Sequence, residues 1–205
     1  MSIYQGSSLR VDLTSQEISR GSTPENGIGG RTWNSVTLLR ELDAGIDPLG
    51  PENVLILACS VVTGAPISGF NRYSVGTKSP LTGTVTDSHQ GGWSAARLRW
   101  AGLDGLVFAG RSERPVYAFV SEGQVELRDA SEIWGRDIHE TVAFFRQRYG
   151  EKNLSVCAIG RAVGECVMPR RGIFCEVLVG GMLRPGDGIE VLGACDADDV
   201  RGVTR

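Results

Sequence analysis

The chain has 205 residues, 41% of them apolar and 22% charged, with a formal net charge of −3. That balance belongs to a folded protein with one domain or two small ones, and it excludes a disordered chain. No apolar run approaches the ~20 residues of a membrane-spanning helix, and Lys and Arg are scattered, so neither a membrane protein nor a nucleic-acid-binding protein is expected.

The first residues have neither the basic nor the apolar segment of a secretory signal, which makes the cytoplasm the expected compartment. Five cysteines, Cys59, Cys157, Cys166, Cys175 and Cys195, contain no C-x-x-C pair. A zinc knuckle or iron–sulfur cluster with familiar spacing is therefore not expected from this chain. The unusual count is 28 glycines, about twice the ~7% average and without the period of a repeat protein. Such an excess marks tight turns and close backbone approaches.

In chain order, Leu9–Leu13 alternates apolar and polar residues, and Thr14-Ser15 turns it toward a second short strand over 16–19. A glycine loop, 27–30, then leads into a helix over 31–43, with Trp33, Val36, Leu39 and Leu42 near one face. After a Pro/Gly turn, Val54–Cys59 reads as a buried strand. Residues 63–92 are the densest stretch of turn residues, with a strand over 72–77 inside it. A helix over 91–101 and a strand over 104–110 follow. Val116–Ser121 and Val125–Arg128 form a hairpin around Glu122-Gly-Gln124. Asp137, with Glu140 three residues on, caps a helix whose stripe is Ile138, Val142, Phe145 and Tyr149. A strand over 154–159 ends this unit. The expected fold is α+β, mainly antiparallel sheets with a few helices, organised as a domain over 1–159 and a short β-rich tail over 160–205.

The segment Lys78-Ser-Pro-Leu-Thr-Gly-Thr-Val-Thr-Asp-Ser-His-Gln-Gly-Gly92 combines a cation, hydroxyls and glycines running into a helix. Backbone N–H groups at a helix start favour an anion, and glycine lets a phosphate approach the main chain. Residues 27–31 repeat the arrangement, with Arg31 able to grip phosphate bidentately. Ordinary turns have the same composition, and neither loop is a Walker A or dinucleotide fingerprint.

Several segments, taken in order, resemble the N-terminal domain of tungsten-dependent aldehyde:ferredoxin oxidoreductases over about residues 4–159. They are Leu9-Arg-Val-Asp-Leu-Thr14, Ile28-Gly-Gly-Arg31, Asp47-Pro-Leu-Gly-Pro-Glu-Asn-Val-Leu-Ile56, Arg72-Tyr-Ser-Val75, Lys78-Ser-Pro-Leu-Thr-Gly-Thr84, Asp87-Ser88, Gly91-Gly92 and Asp104-Gly105. The resemblance implies a platform for two pyranopterin-dithiolenes that hold tungsten, or molybdenum, with their phosphates bridged by magnesium. It implies that Arg72 lies near the pterin, that Lys78, Asp87, Ser88, His89, Gly91 and Gly92 belong to the binding loop, and that Gly29, Gly30 and Arg31 form the first glycine turn.

Where the family usually has asparagine, this chain has His89. Its main chain is still able to serve magnesium; alternatively it is a general base, an imidazole being able to take a proton near neutral pH, or a solvated loop residue. His139 reads as surface. The family's iron–sulfur cysteines and substrate pocket lie in later domains. The resemblance therefore implies a component of an aldehyde or oxo-group oxidoreductase, partnered by a larger cluster-bearing subunit. Whether the chain alone is an enzyme stays open, as does a homodimer.

Cys157-Ala-Ile-Gly-Arg-Ala-Val-Gly-Glu-Cys-Val-Met-Pro-Arg-Arg-Gly-Ile-Phe174, with Leu183-Arg-Pro-Gly-Asp187, resembles the C-terminal end of a MOSC domain, over about 157–192. That resemblance implies cofactor handling, with Cys157 and Cys166 as candidate sulfur carriers or else inert cysteines. It supports the alternative of a non-enzymatic carrier that passes the pterin cofactor to an apo-oxidoreductase.

Overall fold

The computed structural model describes residues 7–21, 29–150, 154–158 and 175–179. Its elements are β1 (Ser8–Asp12), β2 (Ile18–Arg20), α1 (Gly30–Glu41), β3 (Val54–Cys59), β4 (Tyr73–Lys78), β5 (Val85–Gln90), α2 (Trp93–Trp100), β6 (Gly105–Ala109), β7 (Val116–Ser121), β8 (Gln124–Asp129), α3 (Ile138–Tyr149), β9 (Leu154–Ala158) and β10 (Cys175–Val179).

These strands build two sheets. The first has the order β2-β1-β6-β3-β4-β5, the second β8-β7-β10-β9. Each contains one parallel pair, β1 with β6 and β7 with β10, and is otherwise antiparallel. The expected α+β class with mainly antiparallel sheets is what the chain adopts. β10 inserts between β7 and β9.

Strand alternation sorts the apolar residues into three layers. On one face of the first sheet, Val54, Ile56 and Ala58 of β3 and Val107 of β6 pack with Trp33 and Leu38 of α1. On its other face Leu57, Leu106 and Phe108 meet Ala95 and Leu98 of α2 and the inward residues Val116, Ala118 and Val120 of β7. Tyr117 of the same strand points the opposite way, into a cluster with Val142 and Phe145 of α3 and Leu154 and Val156 of β9. Each fully buried large aliphatic side chain in these layers contributes roughly 1.5–3 kcal/mol.

Helix α1 sits close to its sheet because two strand positions have no side chain. A Cβ on Gly105 would stand 2.2 Å from Trp33 Cζ3, and one on Gly76 would stand 2.7 Å from the Asn34 Cγ. The buried face is therefore Trp33, Asn34, Thr37 and Leu38. This corrects the expected stripe: Leu39 is 77% exposed.

The β7–β8 turn is shorter than expected. Only Glu122 and Gly123 lie between the strands, both with positive φ (51° and 74°), as the type I′ hairpin requires to match strand twist. Helix α3 begins with the expected capping box: the Asp137 carboxylate accepts from the Glu140 N–H at 2.8 Å, and the Glu140 carboxylate accepts from the Asp137 N–H at 3.1 Å.

Residues 85–90, expected as part of a loop, form a strand. β5 is the outer strand of the first sheet, and its backbone pairs with β4 from Tyr73↔Gln90 to Lys78↔Val85. Its side chains are mostly exposed, so no buried face marks it as a strand. No helix among the described residues is long and apolar enough to cross a membrane.

Candidate functional site

The register of the β4–β5 pair decides which candidate residues meet. Directly opposed residues of an antiparallel pair share a face. Ser74↔His89 and Gly76↔Asp87 are such pairs, and Gly76 lies against Asn34 of α1. Ser74, Asp87 and His89 therefore occupy the face that α1 covers, beside the start of that helix.

The helix start closes the group. Gly29 is its N-cap, and among the described residues no side chain caps the helix, so the first N–H groups of α1 and the positive end of its dipole face outward at this end. A Cβ on Gly29 would stand 2.1 Å from the Cys59 carbonyl oxygen, so only glycine lets the chain pass the end of β3 here. One residue into the helix, Arg31 donates from Nε to Asp87 Oδ2 at 2.8 Å. The same oxygen lies 3.6 Å from His89 Nδ1 and accepts from the Ser74 hydroxyl at 3.4 Å.

Arg72 stands two residues before Ser74. Its Nε lies 3.8 Å from where a Cβ on Gly91 would be. Its main chain is anchored, the carbonyl accepting from the Thr63 hydroxyl at 2.6 Å, while the side chain is exposed. Arg31 and His89 are thus gathered on one carboxylate beside the start of α1, and Arg72 lies beside Gly91, next to the α2 N-cap Gly92. That arrangement has the chemistry of an anion grip.

Other sequence candidates lie elsewhere. Lys78, at the far end of β4, is buried, and its Nζ donates to the carbonyls of Ala44 and Ile46 at 2.6 and 2.9 Å. It clamps the loop after α1. Ser88 opposes Val75 and so points to the opposite face of the hairpin. Gly92, with φ 84°, is the N-cap of α2 and carries the chain out of β5. Gly27, Ile28 and Cys166 lie outside the described residues, as does the MOSC-like run apart from 157–158 and β10.

Cys157 is described, and it faces the other side of the hairpin. Its Sγ lies 2.9 Å from the Tyr73 hydroxyl and accepts from Gln90 Nε2 at 3.1 Å. The Tyr73 hydroxyl also donates to Gln90 Oε1 at 2.7 Å. Sequence reasoning missed Ser74, Tyr73 and Gln90, because their roles follow from which strands are paired. Among the described residues, no group of three or more His, Cys, Asp or Glu side chains is placed to hold a metal ion.

Residues 8–174 match the model of the aldehyde ferredoxin oxidoreductase N-terminal domain. The chain belongs to that family. Aldehyde ferredoxin oxidoreductase relatives include the tungsten-containing enzymes of Pyrococcus furiosus, 39% identical over 161 residues, and Thermococcus kodakarensis, 40% identical over 161 residues. Each alignment covers 77% of this chain and 27% of the relative. The WOR-like subunit of an aliphatic sulfonate oxidoreductase from Pyrococcus furiosus is 34% identical, over 66% of this chain and 22% of its own length.

Among solved structures, the active-site complex BamBC of benzoyl coenzyme A reductase superposes with a TM-score of 0.81 at 32% identity, covering 87% of this chain and 31% of that one. The chain therefore spans about a quarter of the length of the curated relatives it matches. The family match extends 15 residues past residue 159, the expected end of the first domain.

Proposed function

We propose that this domain is the cofactor platform of a tungsten- or molybdenum-pterin oxidoreductase acting on aldehyde or oxo groups, with the anion grip holding pterin phosphates. The observation that carries this reading is the gathering of Arg31 and His89 on Asp87 Oδ2 at the start of α1, with Arg72 beside Gly91 just ahead of the start of α2. Two guanidiniums and an imidazole suit a ligand with more than one phosphate, and the exposed outer face of β5 leaves room for it. Within the family of tungsten-containing relatives, a metal–pterin with phosphate groups fits that demand.

The bound cofactor would supply two-electron redox chemistry at its metal. Arg31 and Arg72 would bind and orient its phosphates, and the glycines at 29 and 91 would admit it close to the main chain. Magnesium, a hard cation that takes oxygen ligands, would be held beside the grip through main-chain carbonyls, since Asp87 already pairs with Arg31. A larger partner, or further domains, would carry the iron–sulfur cluster and the substrate pocket. The cytoplasm is the proposed compartment.

A second reading, a carrier that delivers a sulfurated cofactor, is favoured by one observation. Gln90 Nε2 donates to the half-buried Cys157 sulfur, and the Tyr73 hydroxyl lies 2.9 Å from it, so this cysteine stands in a polar setting that suits a sulfur carrier. Purification from cells supplied with tungstate or molybdate, followed by metal, pterin, iron and sulfane-sulfur analysis, separates the two. Pterin and metal without sulfane sulfur supports the platform, sulfane sulfur on Cys157 or Cys166 supports the carrier, and absence of pterin removes both.

A further inference from the structure

We infer that Asp87 is a positioning residue of the anion grip, acting through Arg31. This inference rests on the reading of the α1–β5 face as a phosphate site. Asp87 cannot itself attract a phosphate, because its carboxylate carries the same sign of charge. What it does is engage Arg31 from the side, accepting at 2.8 Å from Nε. Among the described residues, the two terminal nitrogens of Arg31 have no hydrogen-bond partner. The fork that recognises phosphate bidentately is thereby left available while the base of the guanidinium is tied down.

The tie matters because the Arg31 side chain is 66% exposed. An untethered arginine samples many rotamers and loses that freedom when it binds a ligand; a group already held loses less. The tether is itself held. Asp87 sits on a strand whose backbone is paired along its length with β4, and the same oxygen accepts from the buried Ser74 hydroxyl at 3.4 Å. His89 Nδ1 at 3.6 Å places the imidazole on the same oxygen. One carboxylate thus relates a helix-borne guanidinium and a strand-borne imidazole.

The test uses the full chain and pyrophosphate as the probe, with affinity read by titration calorimetry for the wild type, Arg31→Ala, Asp87→Asn and the double variant. Arg31→Ala and Asp87→Asn are each expected to weaken binding by about three- to tenfold, and the double variant to bind about as weakly as Arg31→Ala alone, because groups acting in series are not additive. Unchanged or tighter binding by Asp87→Asn would mean that the carboxylate only repels or occupies the site, and overturns the inference. So does a loss from Asp87→Asn that persists undiminished without Arg31. Wild-type affinity in Arg31→Ala instead removes the phosphate-grip reading, a separate failure. Thermal unfolding checks each fold, and Asp87→Ser repeats the cycle should Asp87→Asn not fold.

Discussion

The Tyr73 hydroxyl lies 2.9 Å from the Cys157 sulfur, which joins β4 of one sheet to β9 of the other. Tyr73 is 1% exposed and its hydroxyl also reaches Gln90. Tyr73→Phe should therefore lower stability by about 1–2 kcal/mol, since it deprives the half-buried Gln90 and Cys157 of its hydroxyl. Cys157→Ala should cost less, about 1 kcal/mol, and the double variant less than the sum of the two. Urea unfolding of the three variants measures this; strict additivity would show that the two groups are not coupled.

Gly105 tests the seat of α1. Gly105→Ala would place a methyl group 2.2 Å from the Trp33 ring and 2.4 Å from the Leu57 carbonyl oxygen. A loss of about 1–3 kcal/mol or more is expected from such overpacking. Gly45→Ala, with nothing within 4 Å of the new methyl group, should stay within about 0.5 kcal/mol of the parent. Similar midpoints for both variants in urea would mean that α1 does not press on β6.

Lys78 and the arginines should separate cleanly. Lys78→Met removes two hydrogen bonds from a buried ammonium to the carbonyls of Ala44 and Ile46, so it should reduce stability by about 2–3 kcal/mol while leaving pyrophosphate affinity unchanged. Arg31→Ala with Arg72→Ala should do the reverse, abolishing pterin retention with a change in stability under about 1 kcal/mol, as expected for exposed charges. Loss of pyrophosphate binding in Lys78→Met would return that lysine to the site.

Tyr117 predicts how the fold responds to alkali. Burial, reinforced by its hydrogen bond to the Tyr149 hydroxyl, pushes the Tyr117 phenol up to about 12. The folded state therefore holds this proton more tightly than the unfolded chain does. The resulting stability is fully present below about pH 10, the ordinary phenol value, and is lost as pH rises through about 12. Tyr117→Phe should be less stable near neutrality, for want of the bond to Tyr149, yet show a shallower decline between pH 10 and 12. Parallel profiles for the two proteins, followed by circular dichroism, would contradict this account.

The elements with a buried face were legible from pattern. Val54–Cys59 is a continuous apolar run, Val116–Ser121 alternates about a turn signal, and Asp137 with Glu140 spells out a helix start; each became the expected element. Periodicity failed where burial is set by a neighbour's shape. The stripe on α1 shifted because Gly76 and Gly105 make room for Asn34 and Trp33 and leave Leu39 outside. It failed again at β5, an edge strand whose polar, exposed residues have the composition of a loop. Its identity lies in hydrogen bonds to β4, and those depend on a partner far along neither face of its own sequence pattern.

The glycine count, the lack of cluster-type cysteine spacing, the family resemblance and the cationic residues around two glycine turns are properties of the sequence by itself. Which of those residues lie together was decided by the tertiary structure. The β4–β5 register, with its period of two, put Asp87 and His89 on the face beside Arg31 and sent Ser88 to the other. The same fold buried Lys78 against the loop after α1 and set Cys157 against Tyr73. A residue's chemistry is local, but its direction depends on which strand it pairs with, and that pairing is a long-range outcome of how the two sheets and their helices exclude water together.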